Sequence, residues 1–227
     1  VFGTKMYAVP LLVTFCLVAG IQAATVLDSN AYVDGVLART FPLTAGVTQF
    51  ELPGTRFQVG SGGLITGILT NPLQVKLKRG VVTGLQHPYG LKRLGDCSVP
   101  TLKNGNITIA CYITLDAVKV RYEGTYSSGT LLAAVHSFIV DGSLSNSKVY
   151  VEISALPGNM PALKAFNLLP TKVLLNYSRT PDVSAERLRE FNNAVGAHVQ
   201  KAFNVWLSGP LVQAVAYAVR VSPLPRL

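Results

Sequence analysis

The sequence predicts an α+β domain in which a curved antiparallel β-sheet wraps around a long C-terminal helix, preceded by a short N-terminal helix. Within residues 182–219, apolar residues recur at gaps of three and four from residue 188 to 206, a spacing typical of an amphipathic helix. Residues 107–123 and 147–177 instead contain stretches that alternate apolar and polar side chains, which indicates strands with one buried face. A run of strands followed by a helix favours α+β over a parallel sheet.

The predicted long helix has an apolar stripe and an interruption. The stripe consists of Leu188, Phe191, Val195, Val199, Ala202 and Trp206. Residues 180–182 (Thr-Pro-Asp) supply a cap and a proline suited to the first turn, and residues 208–210 (Ser-Gly-Pro) break the pattern. Residues 211–219 are apolar nearly all round, so we expect the rest of the chain to enclose them on most sides. They are too few to span a bilayer, which takes about 20 residues.

A short helix is predicted near the start of the domain, over residues 30–41. It places Tyr32, Val33, Val36 and Leu37 on one face. Residues 43–63 contain Pro53-Gly54 and a Gly-Ser-Gly-Gly run, and we interpret them as a loop with short strands at most.

The strands begin after residue 64. Val75, Leu77 and Val81 are expected to point inward, and Lys76 and Lys78 outward. Two antiparallel pairs are predicted next. The first joins residues 107–115 to 118–123 through a tight turn, and the second joins residues 132–144 to 147–155, with Val149, Val151 and Ile153 inward. The last strand covers residues 171–177 and carries Val173, Leu175 and Tyr177 on one face.

The first 23 residues have the layout of a secretory signal peptide. Lys5 precedes an apolar run over residues 7–21, which ends in the small residues Ala23 and Ala24. We expect cleavage after Ala23 and a secreted, extracellular protein with one domain over residues 24–227. Met6 is a candidate initiator, which would make residues 1–5 an upstream translation artefact.

Cleavage would leave two cysteines, Cys97 and Cys111, in an oxidising compartment where a disulfide persists. A three-residue turn at residues 103–105 places them directly opposite each other, whereas a two-residue Asn104-Gly105 turn places Cys97 opposite Tyr112. A disulfide therefore favours the three-residue turn, and two free buried cysteines are the alternative. Two glycosylation sequons begin at Asn106 and Asn176.

Several of these stretches resemble the mite group-seven allergens. The similarity is best over residues 80–126. It includes residues 80–85 (Gly-Val-Val-Thr-Gly-Leu), residues 91–96 (Leu-Lys-Arg-Leu-Gly-Asp), Asn104-Gly105 and the strands ending at residues 120–122 (Val-Arg-Tyr). Those allergens are similar to the tubular lipid-binding superfamily, which includes juvenile-hormone-binding, takeout-like and bactericidal permeability-increasing proteins.

The resemblance implies a curved sheet around a long helix, with an apolar groove between them, and a secreted, non-enzymatic binder or carrier of a lipid or another apolar ligand. The chain departs from the allergens in three ways. Its N-terminal helix is shorter, residues 43–63 match poorly, and Cys97 and Cys111 are not part of the pattern.

The apolar face of the long helix supplies the candidate ligand contacts, because sites for apolar ligands are lined mostly by apolar side chains. They are Phe191, Val195, Val199, Phe203, Trp206, Val212 and Val215. The same stripe is also what an ordinary core requires, and the sequence does not separate the two.

A basic run is the alternative binding feature. It consists of Lys76, Lys78, Arg79, Lys92 and Arg93, and no acidic residue occurs from residue 76 to 95. It could attract anionic membranes or lipopolysaccharide, as in an innate-immune protein. It could equally be the solvated face of an edge strand, where lysines discourage pairing with other chains. A secreted structural or immune-modulating protein without a ligand is the third possibility.

Composition and motifs favour binding over catalysis. Hydrophobic residues make up 49% of the chain and charged residues 14%, which argues for a large core, and the net charge is +9. The histidines are His87, His136 and His198, and no hydrolase elbow or zinc motif occurs. We therefore expect no enzyme activity, cofactor or metal site. A triad assembled from distant residues stays open, because it depends on geometry. The basic run has Tyr89 alone for stacking, so we expect no nucleic-acid partner.

Overall fold

The computed structural model of the protein describes residues 24–40, 50–60, 64–65, 68–69, 72–128 and 133–225. The helices are α1 (Val26–Thr40), α2 (Ala185–Trp206) and α3 (Val212–Arg220), with a π-helical segment, Leu207–Leu211, between the last two. The strands are β1 (Phe50–Leu52), β2 (Thr55–Val59), β3 (Leu64–Ile65), β4 (Ile68–Leu69), β5 (Leu73–Thr83), β6 (Lys92–Arg93), β7 (Thr101–Lys103), β8 (Asn106–Thr114), β9 (Lys119–Ser128), β10 (His136–Ser145), β11 (Val149–Ala155), β12 (Ala162–Leu168) and β13 (Lys172–Tyr177). The predicted signal peptide lies outside the described residues.

The described strands form two main antiparallel sheets around the helices. Sheet 1 has the order β1-β5-β9-β10-β13, and β2 also pairs with β5. Sheet 2 has the order β12-β11-β8-β6, and β7 also pairs with β8. The inward side chains of the central strands are buried in one core, which confirms the predicted fold class and most of the predicted inward faces. Among the described strands, β3 and β4 pair with each other and with no other strand.

The two predicted strand pairs are wrong. β8 pairs with β11 and not with β9, and β10 pairs with β9 and β13 but not with β11. At both turns the chain passes from one sheet to the other. Leu115 and Val118 flank the first turn and are fully buried, so this turn closes the end of the core. Alternation correctly gave the faces of these strands, but it carries no information about their partners.

The two sheet-to-sheet crossings lie side by side and are joined by Ser147. Its Oγ accepts a hydrogen bond from the backbone N–H of Leu115 (2.7 Å), and both its N–H and its Oγ donate to Asp116 Oδ1 (2.7 Å each). Ser147 is buried, so these hydrogen bonds satisfy polar groups that water does not reach.

α1 buries the face predicted for it: Tyr32, Val33, Val36 and Leu37. It begins at Val26, four residues before the predicted start. The reason is a local cap: the Asp28 carboxylate accepts hydrogen bonds from the backbone N–H and the hydroxyl of Thr25 (2.7 and 2.8 Å). The helix is therefore a full 15 residues long.

β5 contains a β-bulge that overturns the predicted inward position of Val81. Leu77 pairs with Gly124 and Gly80 with Tyr122, so β5 has one extra residue over this stretch. The bulge moves Val82 into the core and turns Val81 outward. Gly80 is required here because a Cβ at this position would lie 2.5 Å from the Tyr122 ring.

The predicted three-residue turn before β8 is also wrong. Lys103 pairs with Asn106, so the turn has two residues, Asn104 and Gly105. Both have positive φ, 51° and 78°, as a type I′ turn requires.

Cys97 and Cys111 are nevertheless joined by a disulfide, with their Cα atoms 4.5 Å apart. The register of the turn does not extend to Cys97, because Pro100 has no N–H and ends the ladder. Before Pro100, Ser98 donates its N–H to the carbonyl of Ala110, one residue out of step with β7. This slip places the two cysteines opposite each other, so the disulfide prediction is confirmed by a route that differs from the expected one.

α2 begins at Ala185, after the predicted start at residues 180–182, because Ser184 is the cap. Its Oγ accepts a hydrogen bond from the N–H of Arg187 (3.4 Å). Most of the predicted stripe is buried, with Leu188 half-buried. The interruption at residues 208–210 falls in the π-helical segment. Pro210 has no N–H to donate to the regular helical ladder, so the helix changes to a π-helical turn here and then continues as α3.

α3 is less enclosed than predicted. It packs against α1 on one side and β12 on another, and its Val215, Ala218 and Val219 are buried. Leu211, which directly precedes α3, is buried as well. Tyr217 on the remaining side is 69% exposed, and Gln213 is also exposed. Residues Ala185–Arg220 are long and apolar enough by composition to cross a membrane, but the burial of their apolar stripe is what a core helix also shows.

Candidate functional site

Six of the seven candidate ligand contacts on the long helix lie in the packed core. Phe191, Val195, Val199, Phe203, Trp206 and Val215 are each at most 2% exposed. Phe191 packs against the rings of Tyr126, Phe138 and Tyr177, with centroids 6.1, 5.4 and 6.0 Å away. Only Val212 is half-buried at an opening. The role of these side chains as ligand contacts stays a prediction.

An open groove of about 910 Å³ runs along the opposite side of the helix, and we call it the helix groove. Its wall on the helix side is formed by Ala197, Gln200, Lys201, Asn204, Val205, Leu207, Ser208 and Val212. Its other wall is formed by Phe166, Leu168, Leu169, Pro170 and Thr171, which are the end of β12 and the loop to β13. The volume lies within the range of about 300–1,000 Å³ that is usual for ligand sites.

The helix groove lies where the two sheets fail to meet. β12 ends sheet 2 and β13 ends sheet 1, and these consecutive strands do not pair with each other. Their inward apolar side chains are therefore only partly buried, whereas those of the central strands are fully buried. They are Leu163, Phe166 and Leu168 on β12, and Val173, Leu175 and Tyr177 on β13. The gap leaves apolar surface beside the helix uncovered.

Tyr177, at the end of β13 away from the groove, joins that strand to α2. Its hydroxyl donates a hydrogen bond to the backbone carbonyl of Asn192 in α2 (3.4 Å). Burial raises the pKa of Tyr177 to about 12, so the phenol is neutral and remains a donor at physiological pH. A Cβ at Gly196 of α2 would lie 3.4 Å from Leu175, so helix and strand are in direct contact beside the groove.

Polar groups along the helix groove are few, and the only charged one among its described lining residues is Lys201. Gln200 Nε2 donates a hydrogen bond to Asn204 Oδ1 (2.9 Å), and Ser208 Oγ donates to the carbonyl of Asn204 (2.9 Å). Lys201 itself is exposed. The arrangement offers apolar walls with a small set of donors on one helical face.

The predicted basic run is largely neutralised. Lys78 forms an ion pair with Glu123 (2.9 Å), Arg79 with Glu51 (2.9 Å), and Arg93 with Asp34 (3.1 Å). Lys76 and Lys92 form none with the described residues. The run contains no acid in sequence, but Glu51 on β1 and Glu123 on β9 flank β5 in space. Two of these ion pairs join neighbouring strands and the third joins β6 to α1, so most of the run is paired and does not form a free cationic patch.

The histidines are placed as structural residues. His198 lies beside the carbonyl of Pro53 (3.3 Å) and packs edge-on against Tyr122, His87 Nδ1 contacts the carbonyl of Leu91 (2.9 Å), and His136 stacks on Tyr126. Within the described part of the chain, no three His, Cys, Asp or Glu side chains are grouped to hold a metal ion.

The two sequons lie in different settings. Asn176 is exposed on β13, and its neighbours in sequence, Leu175 and Tyr177, face the helix. Asn106 is half-buried after the two-residue turn and donates its Nδ2 to the carbonyl of Asn104 (3.2 Å). Glycosylation at either site stays a prediction.

No protein-family model matches the chain. It is 25% identical over 223 residues to the salivary anticoagulant protein P23 of Ixodes scapularis, and the alignment covers 95% of this chain and 98% of that protein. This chain and that tick salivary protein are therefore similar from end to end.

Among solved structures, the chain matches lipopolysaccharide-binding protein at a TM-score of 0.45 and 15% identity, over 86% of this chain and 38% of that protein. It also matches Takeout 1 of Epiphyas postvittana at a TM-score of 0.28 and 15% identity, over 85% and 86% of the two chains. The chain thus spans well under half of the lipopolysaccharide-binding protein. Both TM-scores fall below 0.5, so neither match by itself establishes a shared fold.

Sequence reasoning missed most of the helix groove. It identified no strand at β12, because the pairing of β11 with β12 shifts at Glu152 and Ile153, and Ala165 and Phe166 are both half-buried as a result. Val205 lies outside the apolar stripe, so the sequence did not identify it as a ligand contact. In the structure it is 60% exposed and lines the groove. An exposed valine within an amphipathic helix was the one available signal.

Proposed function

We propose that this protein is a secreted, non-enzymatic binder or carrier of a lipid or another apolar ligand. The observation that carries the proposal is the helix groove, an opening of about 910 Å³ with predominantly apolar walls between the C-terminal helix and the β12–β13 loop. Leaving such surface exposed to water is unfavourable by roughly 25 cal/mol per Å², so a bound apolar molecule would be stabilised there.

Three further features support the proposal. The sequence resembles the tubular lipid-binding superfamily, and within it the mite group-seven allergens. The signal-peptide pattern of residues 1–23 and the Cys97–Cys111 disulfide are consistent with an extracellular protein. Sites of this kind need few polar groups, and the helix groove has few.

Native mass spectrometry of the protein purified from its natural source tests whether a ligand is carried. We expect an additional mass that organic extraction removes. Binding of a neutral apolar fluorophore, N-phenyl-1-naphthylamine, to the extracted protein then locates the site. Val205→Glu places a charge in the groove and should weaken binding at least tenfold, since about 1.5–3 kcal/mol accompanies full burial of a valine-sized side chain.

Val135→Glu is the matched control, because Val135 is 67% exposed and is not among the residues that line the helix groove. It should leave fluorophore binding within twofold. The proposal would be wrong if no ligand is extracted and the protein binds no fluorophore, or if both variants bind it as tightly as the unmodified protein.

An anticoagulant activity is a second candidate, favoured by the end-to-end similarity to the tick protein named for that activity. Adding the purified protein to plasma should then prolong the clotting time in proportion to its concentration. A clotting time that stays constant up to micromolar protein would reject this candidate and leave the ligand-binding proposal intact.

Binding to anionic membranes or lipopolysaccharide through the basic run is less well supported, because three of its five cations are ion-paired. Reversing the charges of Lys76, Lys78 and Arg79 is the test. If the run is the binding surface, association with phosphatidylserine vesicles should be lost, and unchanged association would remove this alternative. The extraction experiment also tests the third possibility, a secreted protein without a ligand, which predicts that no ligand is extracted.

A further inference from the structure

We propose that the helix groove binds a single-chain anionic amphiphile, with Lys201 contacting the anionic headgroup and the chain running towards Val212. This inference rests on the proposed function and adds the chemical class of the ligand. A free fatty acid and a lysophospholipid both have this chemistry, an anionic carboxylate or phosphate headgroup with one long acyl chain.

The charge distribution around the groove favours an anion. No acidic residue is among the described lining residues, and Lys201 is the single charged one. The sequence on both sides is also free of acids: residues 153–181 and 191–227 contain none. An anion brought to Lys201 would therefore meet no nearby carboxylate from either wall of the groove.

Lys201 is available for a ligand. It forms no ion pair with any described residue, in contrast to Lys78, Arg79, Arg93 and Arg121, each of which has an acidic partner. Among the described lining residues, the groove offers the ammonium group of Lys201 no acidic partner. A hydrogen bond to a charged group is about twice as strong as a neutral one, so an anionic headgroup would satisfy it best.

Asn204 adds a second donor beside Lys201. The two side chains are three residues apart and so lie on one face of α2. The Oδ1 of Asn204 is occupied by Gln200, which leaves its Nδ2 group without a hydrogen bond to the described residues. An ammonium and an amide N–H₂ together suit a headgroup with two or more acceptor oxygens, as in a carboxylate or a phosphate.

The side chains with free donors lie towards one end of the groove, and most of the lining at the other end is apolar. Along the helix, Ala197 is followed by the donors Gln200, Lys201 and Asn204 in the first half of the groove. The second half is formed by Val205, Leu207, Ser208 and Val212, and the Ser208 hydroxyl already donates to the carbonyl of Asn204. β12, which supplies Phe166 and Leu168, packs along α3. A molecule with one charged end and one apolar end matches this gradient, whereas a uniformly apolar molecule would leave the donors unused.

The length of the groove also suits one chain. Residues 197–212 span about 20 Å of helix at about 1.5 Å per residue. An acyl chain extends about 15 Å, which is half of the roughly 30 Å hydrocarbon core of a bilayer. One chain and its headgroup therefore fit between the two ends.

The test compares charged and neutral ligands of the same chain by isothermal titration calorimetry. The probes are oleate, its neutral methyl ester, and 1-oleoyl lysophosphatidate, each below its micellar concentration. The variants are Lys201→Glu and, as a matched control, Lys164→Glu, since Lys164 is an exposed cation on β12 that is not among the residues that line the groove. Folding of both variants is checked by circular dichroism.

We expect the unmodified protein to bind oleate or lysophosphatidate more tightly than methyl oleate, and the tighter of the two anions identifies the source of the ligand. Lys201→Glu should weaken binding of the anion about 10- to 100-fold, as expected for loss of a charge-assisted hydrogen bond, and change methyl oleate binding less than threefold. Lys164→Glu should change the affinity for the anion and the affinity for methyl oleate by less than threefold.

Two results would overturn this inference alone: equal affinity for methyl oleate and the anions, or equal weakening by the two charge reversals. The second would mean that only the overall charge of the protein matters. If none of the three probes binds, both this inference and the proposed function fail.

Discussion

The side-chain amide of Asn30 accepts a hydrogen bond from the backbone N–H of Cys97, 2.8 Å away. The same amide donates from Nδ2 to Asp96 Oδ1 (2.9 Å), and Asn30 is only 8% exposed. One turn further along α1, Asp34 forms an ion pair with Arg93. The first helix is thus fastened to the segment that bears the disulfide by contacts between residues about 60 positions apart.

Replacing Asn30 with alanine should destabilise the protein by about 1–3 kcal/mol, because the buried N–H of Cys97 would lose its acceptor. Urea unfolding followed by circular dichroism measures the change. Asn193→Ala in α2 is the control, since Asn193 is helical but exposed, and it should be neutral or slightly stabilising. Equal stability of the two variants would mean that the Asn30 hydrogen bond contributes nothing.

Removing the disulfide with the double variant Cys97→Ala, Cys111→Ala should cost about 3 kcal/mol. The two residues are 14 positions apart, and closing a loop of this size in the unfolded chain accounts for roughly that amount. Urea unfolding gives the difference. Peptide mapping without reduction checks the premise: thiols at these positions that react with an alkylating agent in the folded protein would contradict it.

Stability should fall with acidification partly through Asp116. Desolvation raises the pKa of this carboxyl, but hydrogen bonds from Ser147 and Thr114 outweigh it, so its pKa in the folded protein lies below the ordinary 3.8. Because the folded pKa is depressed, the stabilisation is complete above pH 3.8 and is lost as the pH falls through the lower, folded value. The stability difference between the unmodified protein and Asp116→Asn should therefore shrink below pH 3.8.

Denaturant unfolding at a series of pH values between 2.5 and 7, chosen around that ordinary pKa, measures this difference. Asp182→Asn controls for the loss of one charge, since Asp182 is exposed and has no hydrogen bond to the described residues. A difference for Asp116→Asn that is the same at every pH would show that its ionisation does not stabilise the fold.

Substitution of Phe191 tests whether the buried stripe of the helix is packed core or a ligand pocket. It is fully buried among three aromatic rings, so Phe191→Ala should destabilise the protein by about 3–5 kcal/mol. Val205→Ala, at an exposed position of the same helix, should change stability by less than about 0.5 kcal/mol. Calorimetric unfolding measures both. A Phe191→Ala variant of unchanged stability that loses ligand binding would instead place the ligand on the buried stripe.

The direction in which most side chains point could be predicted from the sequence. Val149, Val151 and Ile153 face the core because side chains on a strand alternate between its two sides, and the stripe from Phe191 to Trp206 does so because a helix repeats every 3.6 residues. Both periods follow from local backbone geometry. Val81 is the instructive exception, since one extra residue in β5, opposite Gly124 and Tyr122, reverses every face that follows it.

The partners of each element could not be predicted in the same way. Alternation is equally compatible with β8 beside β9 and with β8 beside β11, and only packing of the whole core selects the second. For the same reason Glu51 and Glu123, distant in sequence from the basic run, neutralise Arg79 and Lys78.

The sequence by itself therefore determined that a long C-terminal helix is covered by one-sided strands, whereas the approach of Cys97 to Cys111 depended on a register slip that the sequence did not show. The tertiary structure decided that the buried stripe of that helix is packed solidly, and that the open space lies on its other side, between Val205 and the end of β12. The physical reason is that this groove lies where the edges of the two sheets fail to meet, and edges are set by long-range pairing that no local pattern encodes.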